Sequence, residues 1–243
     1  MKIEFDSDMG LSSDNVELLA SVNQCVGRLI DRRRTTIVVV DRYLDSKLAW
    51  KVGTFVEVIL YRIVALCQSL ALNWNVQNML GCNLSARALM ETSALLLDFE
   101  QELSAAITEE NLGAVDKLVN NRHFATREKA WLESNPDTQA INVLTLIDKL
   151  NKRLLKNTRR IYDILSESCH PNYLGHHAMY ATLDTRTGTT TFSEAKDLEG
   201  RRHGIFGCMY LILLDENCLN RLEVEIDRLA DLQRKAVQAG GLA

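Results

Sequence analysis

The sequence predicts an all-α fold, a helical bundle with one small β-hairpin near the C-terminal third. Three observations carry that expectation. Apolar residues recur at helical spacing over most of the chain, only Pro136 and Pro171 supply proline breaks, and a Thr-rich alternating pattern across a glycine turn occurs once. With 47% hydrophobic and 25% charged residues among 243, the chain has the balance of a folded protein and the length to bury a sizeable core.

The elements follow in chain order. Met1 to Gly10 read as irregular or a short strand, and Ser12-Ser13-Asp14 supply capping side chains before an apolar-periodic run from Val16 to Ile30. A polar, arginine-rich break (Asp31 to Thr36) precedes a long helical region from about Val38 to Leu80, divided near Gly53 or around Asn73 to Asn78. Its most apolar part, Val52 to Leu72, carries Glu57 and Arg62, which are costly in hydrocarbon, so it reads as a core helix with no membrane partner.

Ser85 is the expected cap of a helix reaching Ile107, and shorter helices follow at Glu110 to Asn120 and Arg122 to Glu133. After Pro136, Asp137-Thr138 can cap a helix from Gln139 to about Ser168, which Pro171 terminates. Ala178 to Leu183 and Thr189 to Phe192 read as hairpin strands. From Gly204 to Ala239 the helical period returns, with Leu211, Leu214, Cys218, Leu222, Ile226, Leu229 and Leu232 in one stripe. The whole chain, 1–243, reads as a single domain, in which N-terminal helices over 1–83 lead into a helical core over 84–243 with the hairpin at 178–192.

The formal net charge of -4 gives no general attraction to polyanions, so RNA would have to meet a local basic patch. Six scattered cysteines without a C-x-x-C pair or a preceding signal peptide read as reduced thiols in a cytoplasmic protein. Gly-rich phosphate loops and a Gly-x-Ser-x-Gly elbow are both absent, which argues against dinucleotide enzymes and α/β-hydrolases, and no cofactor is expected.

The most informative segment runs from Arg159 to Pro171. Tyr162, Ser166 and His170 fall at i, i+4 and i+8, so three polar side chains share one edge of a helix end. Histidine suits proton transfer near neutral pH, yet the same line also suits hydrogen bonds that close a helix. On the same helix, Lys149, Lys152, Arg153, Lys156 and Arg160 share one sector if the helix is continuous. Such a stripe can position a phosphodiester backbone or form a solvated outer face. Arg87 and Glu91 at i, i+4 are either an internal ion pair or a pair facing the His170 edge. Glu167-x-x-His170 matches half of a di-iron pattern, which needs a second copy, so no metal is assigned.

Arg87-x-x-x-Glu91, followed by Tyr162-x-x-Leu165-Ser166-x-x-x-His170-Pro171, a hairpin and a closing helix, resembles a family of bacterial helical proteins allied to the HEPN (higher eukaryote and prokaryote nucleotide-binding) bundles. The resemblance spans roughly Leu84 to Leu232. It implies an all-α bundle, often a homodimer, in which many members are metal-independent ribonucleases of toxin or phage-defence systems. In that chemistry a histidine moves a proton while an arginine, four to six residues upstream, stabilises phosphate charge. This chain departs from the motif: Asp163, Ile164 and Leu165 stand where the arginine belongs, leaving Arg87 or Arg201 as substitutes from other helices. The expected function is therefore a non-catalytic interaction or defence-system component with a partner protein or a second copy of itself. The alternative is an RNA-binding or RNA-cleaving enzyme using His170.

Overall fold

The computed structural model describes residues 2–7, 10–39, 46–153, 156–194 and 198–239, with the backbone alone over 198–201. Helix α1 (Ser13–Arg32) starts after Ser12, whose side chain makes no capping bond. Helix α2 (Lys47–Asn75) starts at Ser46, whose hydroxyl accepts from the Ala49 N–H at 3.1 Å. Val38 is not helical, contrary to the expectation that α2 begins there, and residues 40–45 lie outside the described ones. Gly53 passes through α2 without a break; the division falls at Val76 to Asn78, where Gln77 takes a left-handed φ of 56°.

Helix α3 (Met79–Thr108) is capped by Asn78, which accepts from the Gly81 N–H at 3.1 Å, and not by Ser85. Ser85 is instead buried inside the helix, 2.9 Å from the Ser69 hydroxyl on α2. Helix α4 (Leu112–His123) absorbs Arg122, and α5 (Lys129–Ser134) is a short remnant of the next expected helix, followed by a 3-10 turn at Pro136–Thr138.

The expected helix from Gln139 to Ser168 is two helices, α6 (Val143–Arg153) and α7 (Thr158–Cys169). Asn157 takes a φ of 75° ahead of α7, a left-handed conformation that asparagine tolerates better than most residues. Asn151 ties the two helices by accepting from the Arg159 N–H at 3.3 Å. Asp137 and Thr138 do not cap α6; the Asn142 side chain accepts from the Leu144 N–H at 3.0 Å.

A four-residue helix α8 (His177–Tyr180) takes the start of the expected first strand, so the hairpin is β1 (Ala181–Asp184) and β2 (Thr189–Phe192). They pair antiparallel with Ala181 opposite Phe192 and Leu183 opposite Thr190. Helix α9 (Leu198–Gln238) then runs for 41 residues through the bundle.

Helix α3 packs on α2, α4, α6, α7 and α9, while α1 lies on α9 and α2. The core is filled by Leu19, Leu60, Ile63, Trp74, Leu89 and Phe99, with the Phe55 and Phe99 rings 4.6 Å apart. Each fully buried side chain of this size contributes about 1.5 to 3 kcal/mol. Gly207 lets α7 approach α9: a Cβ there would stand 2.6 Å from the Ile161 Cδ1. By length and composition α2 is apolar enough to cross a membrane, and half of its most apolar window is buried inside the bundle.

Asp215 is the most deeply buried carboxylate among the described residues. Asp215 on α9 is fully buried, one carboxyl oxygen accepting from the Ser93 hydroxyl on α3 at 2.7 Å and the other without a hydrogen bond among the described residues. Burial pushes its pKa up from 3.8 to about 8, against the opposing effect of the Ser93 bond. Between those values the folded protein holds a proton that the unfolded chain has released, so stability falls as pH rises through the interval and levels off above about 8. The expected slope of unfolding free energy between about pH 5.5 and 7.5 is a loss of roughly 1 kcal/mol per pH unit from this group. Asp215→Asn is expected to flatten that slope in urea unfolding and to be the more stable protein at the upper pH. Parallel slopes in the two proteins would show that Asp215 is not protonated in the fold.

Candidate functional site

Three of the five residues singled out on α3 and α7 meet. The Arg87 Nε donates to the Glu91 Oε1 at 3.2 Å along α3, and the Tyr162 hydroxyl donates to the same oxygen at 2.8 Å from α7. The Arg87 guanidinium carbon lies 5.7 Å from the centre of the Tyr162 ring, within cation–π range. Tyr162 is buried, whereas Arg87 and Glu91 each keep nearly a third of the side chain exposed. The i, i+4 spacing on α3 aligns the first pair, and the close seat of α7 on α3 brings in the second.

The electrostatics favour a locked cluster. Burial opposes charge on Arg87, but its contacts with Tyr162 and Glu91 outweigh that and hold its pKa above the ordinary value. Burial and the bond to Glu91 push the Tyr162 phenol up, against the pull of Arg87. Cys169, at the end of α7, also feels Arg87; burial still dominates and raises its thiol, so it is not an activated nucleophile. The cluster thus presents a fixed guanidinium, a carboxylate that accepts twice, and two proton-bearing groups that hold their protons.

Ser166 and His170 are placed differently. His170 is the exposed C-cap of α7, its N–H donating to the Ser166 carbonyl at 3.2 Å. Its own carbonyl accepts from the Asn172 N–H at 2.8 Å, and a Cβ on Gly175 would stand 1.8 Å from that oxygen, so the turn after Pro171 depends on glycine. Among the described residues no hydrogen bond joins the His170 or Ser166 side chain to Arg87, Glu91 or Tyr162. The side chain of Arg201, the other substitute arginine, lies outside the described residues. Glu167 is engaged by the Asn172 amide at 2.6 Å, and no group of three His, Cys, Asp or Glu among the described residues could hold a metal.

The basic stripe divides at the break between α6 and α7. Lys149 turns inward to Asp98 (2.7 Å) and Glu102 (3.2 Å) on α3, where Arg122 from α4 meets the same two carboxylates at 3.1 and 2.7 Å. With the Asp98 side chain only 2% exposed, this is a buried ion network joining three helices. Burial disfavours the charge on Lys149, but the bonds to Asp98 and Glu102 raise its pKa above the ordinary value. Arg153 donates to Gln101 and stands 3.9 Å from Asp98. Lys152, Lys156 and Arg160 are exposed and have no ion-pair partner among the described residues.

Lys156 and Arg160 open onto a groove of about 640 Å³ between α1, α7 and α9, whose other polar lining includes Arg202, His203 and Tyr210. Sequence reasoning missed these α9 residues as a set, since nothing along the chain ties Arg202 to Arg160. No family model matches this chain, and neither does any curated protein or solved structure.

If the Tyr162 and Glu91 contact fastens α7 to α3, Tyr162→Phe and Glu91→Gln are each expected to lower stability by about 1 kcal/mol. The double variant is expected to lose less than the sum, by about 0.5 kcal/mol or more in chemical denaturation. Strict additivity would show that the two side chains contribute independently.

Proposed function

We propose that this chain is a non-catalytic, HEPN-like helical interaction protein of the cytoplasm that works as a homodimer joined through its hairpin. The observation that carries this reading is the uncovered apolar face of β1 and β2. Ala181, Leu183, Thr190 and Phe192 share that face by register; Ala181 is buried at its base, whereas Leu183 is 51% and Phe192 75% exposed. The hairpin packs mainly on α8, away from the main helices. A two-stranded hairpin is only marginally stable alone, and alternation of this kind belongs to a sheet with one face covered. An open edge strand pairs readily with its own copy about a two-fold axis, which satisfies both hairpins at once.

Two further facts support the reading. Glu91, Tyr162 and Arg87 are occupied with one another, which leaves His170 without a described partner for acid–base work. All six thiols are unpaired, as suits a reducing compartment.

Sedimentation tests the proposal. Wild type is expected to be a dimer at concentrations near about 100 µM, and the Leu183→Asp/Phe192→Asp variant a monomer of unchanged helicity. A monomeric wild type would contradict it. The purified protein is also expected to leave end-labelled RNA intact in EDTA. Cleavage that disappears in His170→Ala would replace the non-catalytic reading with a ribonuclease.

A further inference from the structure

Arg62 interrupts the most apolar stretch of α2, and its contacts aim it at a cleft. Its Nε donates to the Thr92 hydroxyl on α3 at 3.1 Å, and that hydroxyl donates in turn to the Ala88 carbonyl at 2.8 Å. Thr92 is buried, so the bond fixes the guanidinium against α3. The Nη groups of Arg62 have neither a hydrogen bond nor an ion pair among the described residues. A guanidinium held by its Nε keeps two parallel N–H groups on its remaining edge, the fork that matches a carboxylate.

The cleft that Arg62 lines has a volume of about 280 Å³ and lies between α2, α3, α4 and the start of α6. Leu95, Ala125, Ile141, Val143 and Leu146 make its walls apolar. The outer wall is braced, with the Thr126 N–H donating to the Thr138 carbonyl and the Ala140 N–H to the Thr126 carbonyl, each at 2.9 Å. Glu91 lines the cleft from α3. Its Oε1 accepts from both Arg87 and Tyr162, while its Oε2 has no hydrogen bond among the described residues. Arg62 and Glu91 therefore line one space without forming an ion pair with each other. Arg122, the other cation of the lining, is engaged by Asp98 and Glu102.

We propose that this cleft binds a free α-amino acid with an aliphatic side chain. Its carboxylate would meet the Nη edge of Arg62, its ammonium would donate to the Glu91 Oε2, and its side chain would lie against Leu95, Ile141 and Leu146. A plain carboxylate satisfies Arg62 but sets a second anion beside Glu91, and a plain amine does the reverse; a zwitterion satisfies both. Arg87 offsets part of the charge on Glu91, so the carboxylate end of the ligand is held the more tightly. The volume stands at the lower end for ligand pockets, which suits a single amino acid better than a nucleotide. The proposal goes beyond the interaction reading and does not rest on the hairpin.

Titration calorimetry on the full chain with leucine, isocaproate and isoamylamine tests it, because isocaproate lacks the ammonium and isoamylamine the carboxylate. Wild type is expected to bind leucine one to one, about tenfold more tightly than isocaproate and more tightly still than isoamylamine. Arg62→Gln is expected to weaken leucine binding about tenfold or more, with circular dichroism checking that the helices are kept. Glu91→Gln is expected to weaken leucine binding while isocaproate binds at least as tightly as to wild type, a split that a general loosening of the fold does not produce. No saturable binding of leucine up to about 10 mM would overturn the proposal, as would equal affinity in wild type and Arg62→Gln. Isocaproate bound as tightly as leucine would overturn it in favour of a simple carboxylate.

Discussion

Helix α3 is packed against α2, α4, α6, α7 and α9, so each buried polar group it carries must find its partner inside the protein. Ser85 meets Ser69 on α2, Glu91 meets Tyr162 on α7, Ser93 meets Asp215 on α9, and Asp98 meets Arg122 and Lys149 from α4 and α6. One helix therefore sets the position of each neighbour through a directional contact as well as through apolar area. Apolar packing supplies the larger share of stability, while these bonds select one rotation of each helix about its axis.

The same constraint explains why residues with the look of a catalytic set form a locked one. Arg87, Glu91 and Tyr162 stand close enough for proton transfer, but their hydrogen bonds are spent on one another, and burial raises the phenol and the nearby Cys169 thiol. Of the exposed cations without a described ion-pair partner, Arg160 lies on α7 and Lys156 in the turn before it. Lys156 and Arg160 line the groove shared with α1 and α9 and also the adjoining depression that Asp163 and Glu167 line. Across the break between α6 and α7, Lys149 reaches in to Asp98 while Arg153 stays largely exposed beside Gln101, and Lys156 and Arg160 line the groove.

The bundle was legible because its long helices keep an unbroken apolar period; the stripe from Leu211 to Leu229 on α9 is buried apart from the half-buried Leu214. The ends of elements were less legible. Asn78, Ser85 and Asn157 are all residues that cap or turn, and the surrounding packing decides which of them does so. The Arg87 and Glu91 pair could be read from spacing alone, because i, i+4 neighbours on a helix meet whatever the tertiary fold. Tyr162 joining them, and Arg202 and His203 joining Arg160, depend on helix docking that no local pattern encodes. Asp215 was readable in principle: it is a carboxylate placed between Leu211 and Cys218 on the apolar stripe, where burial follows from the period.

Native-state hydrogen exchange over the whole chain tests most directly whether α3 organises the fold. The account predicts that the central amides of α3, and those of α9 beside it, exchange only through global unfolding, while α5 and the hairpin open locally at much lower free energy. Exchange of the middle of α3 at the rate of α5 would contradict it.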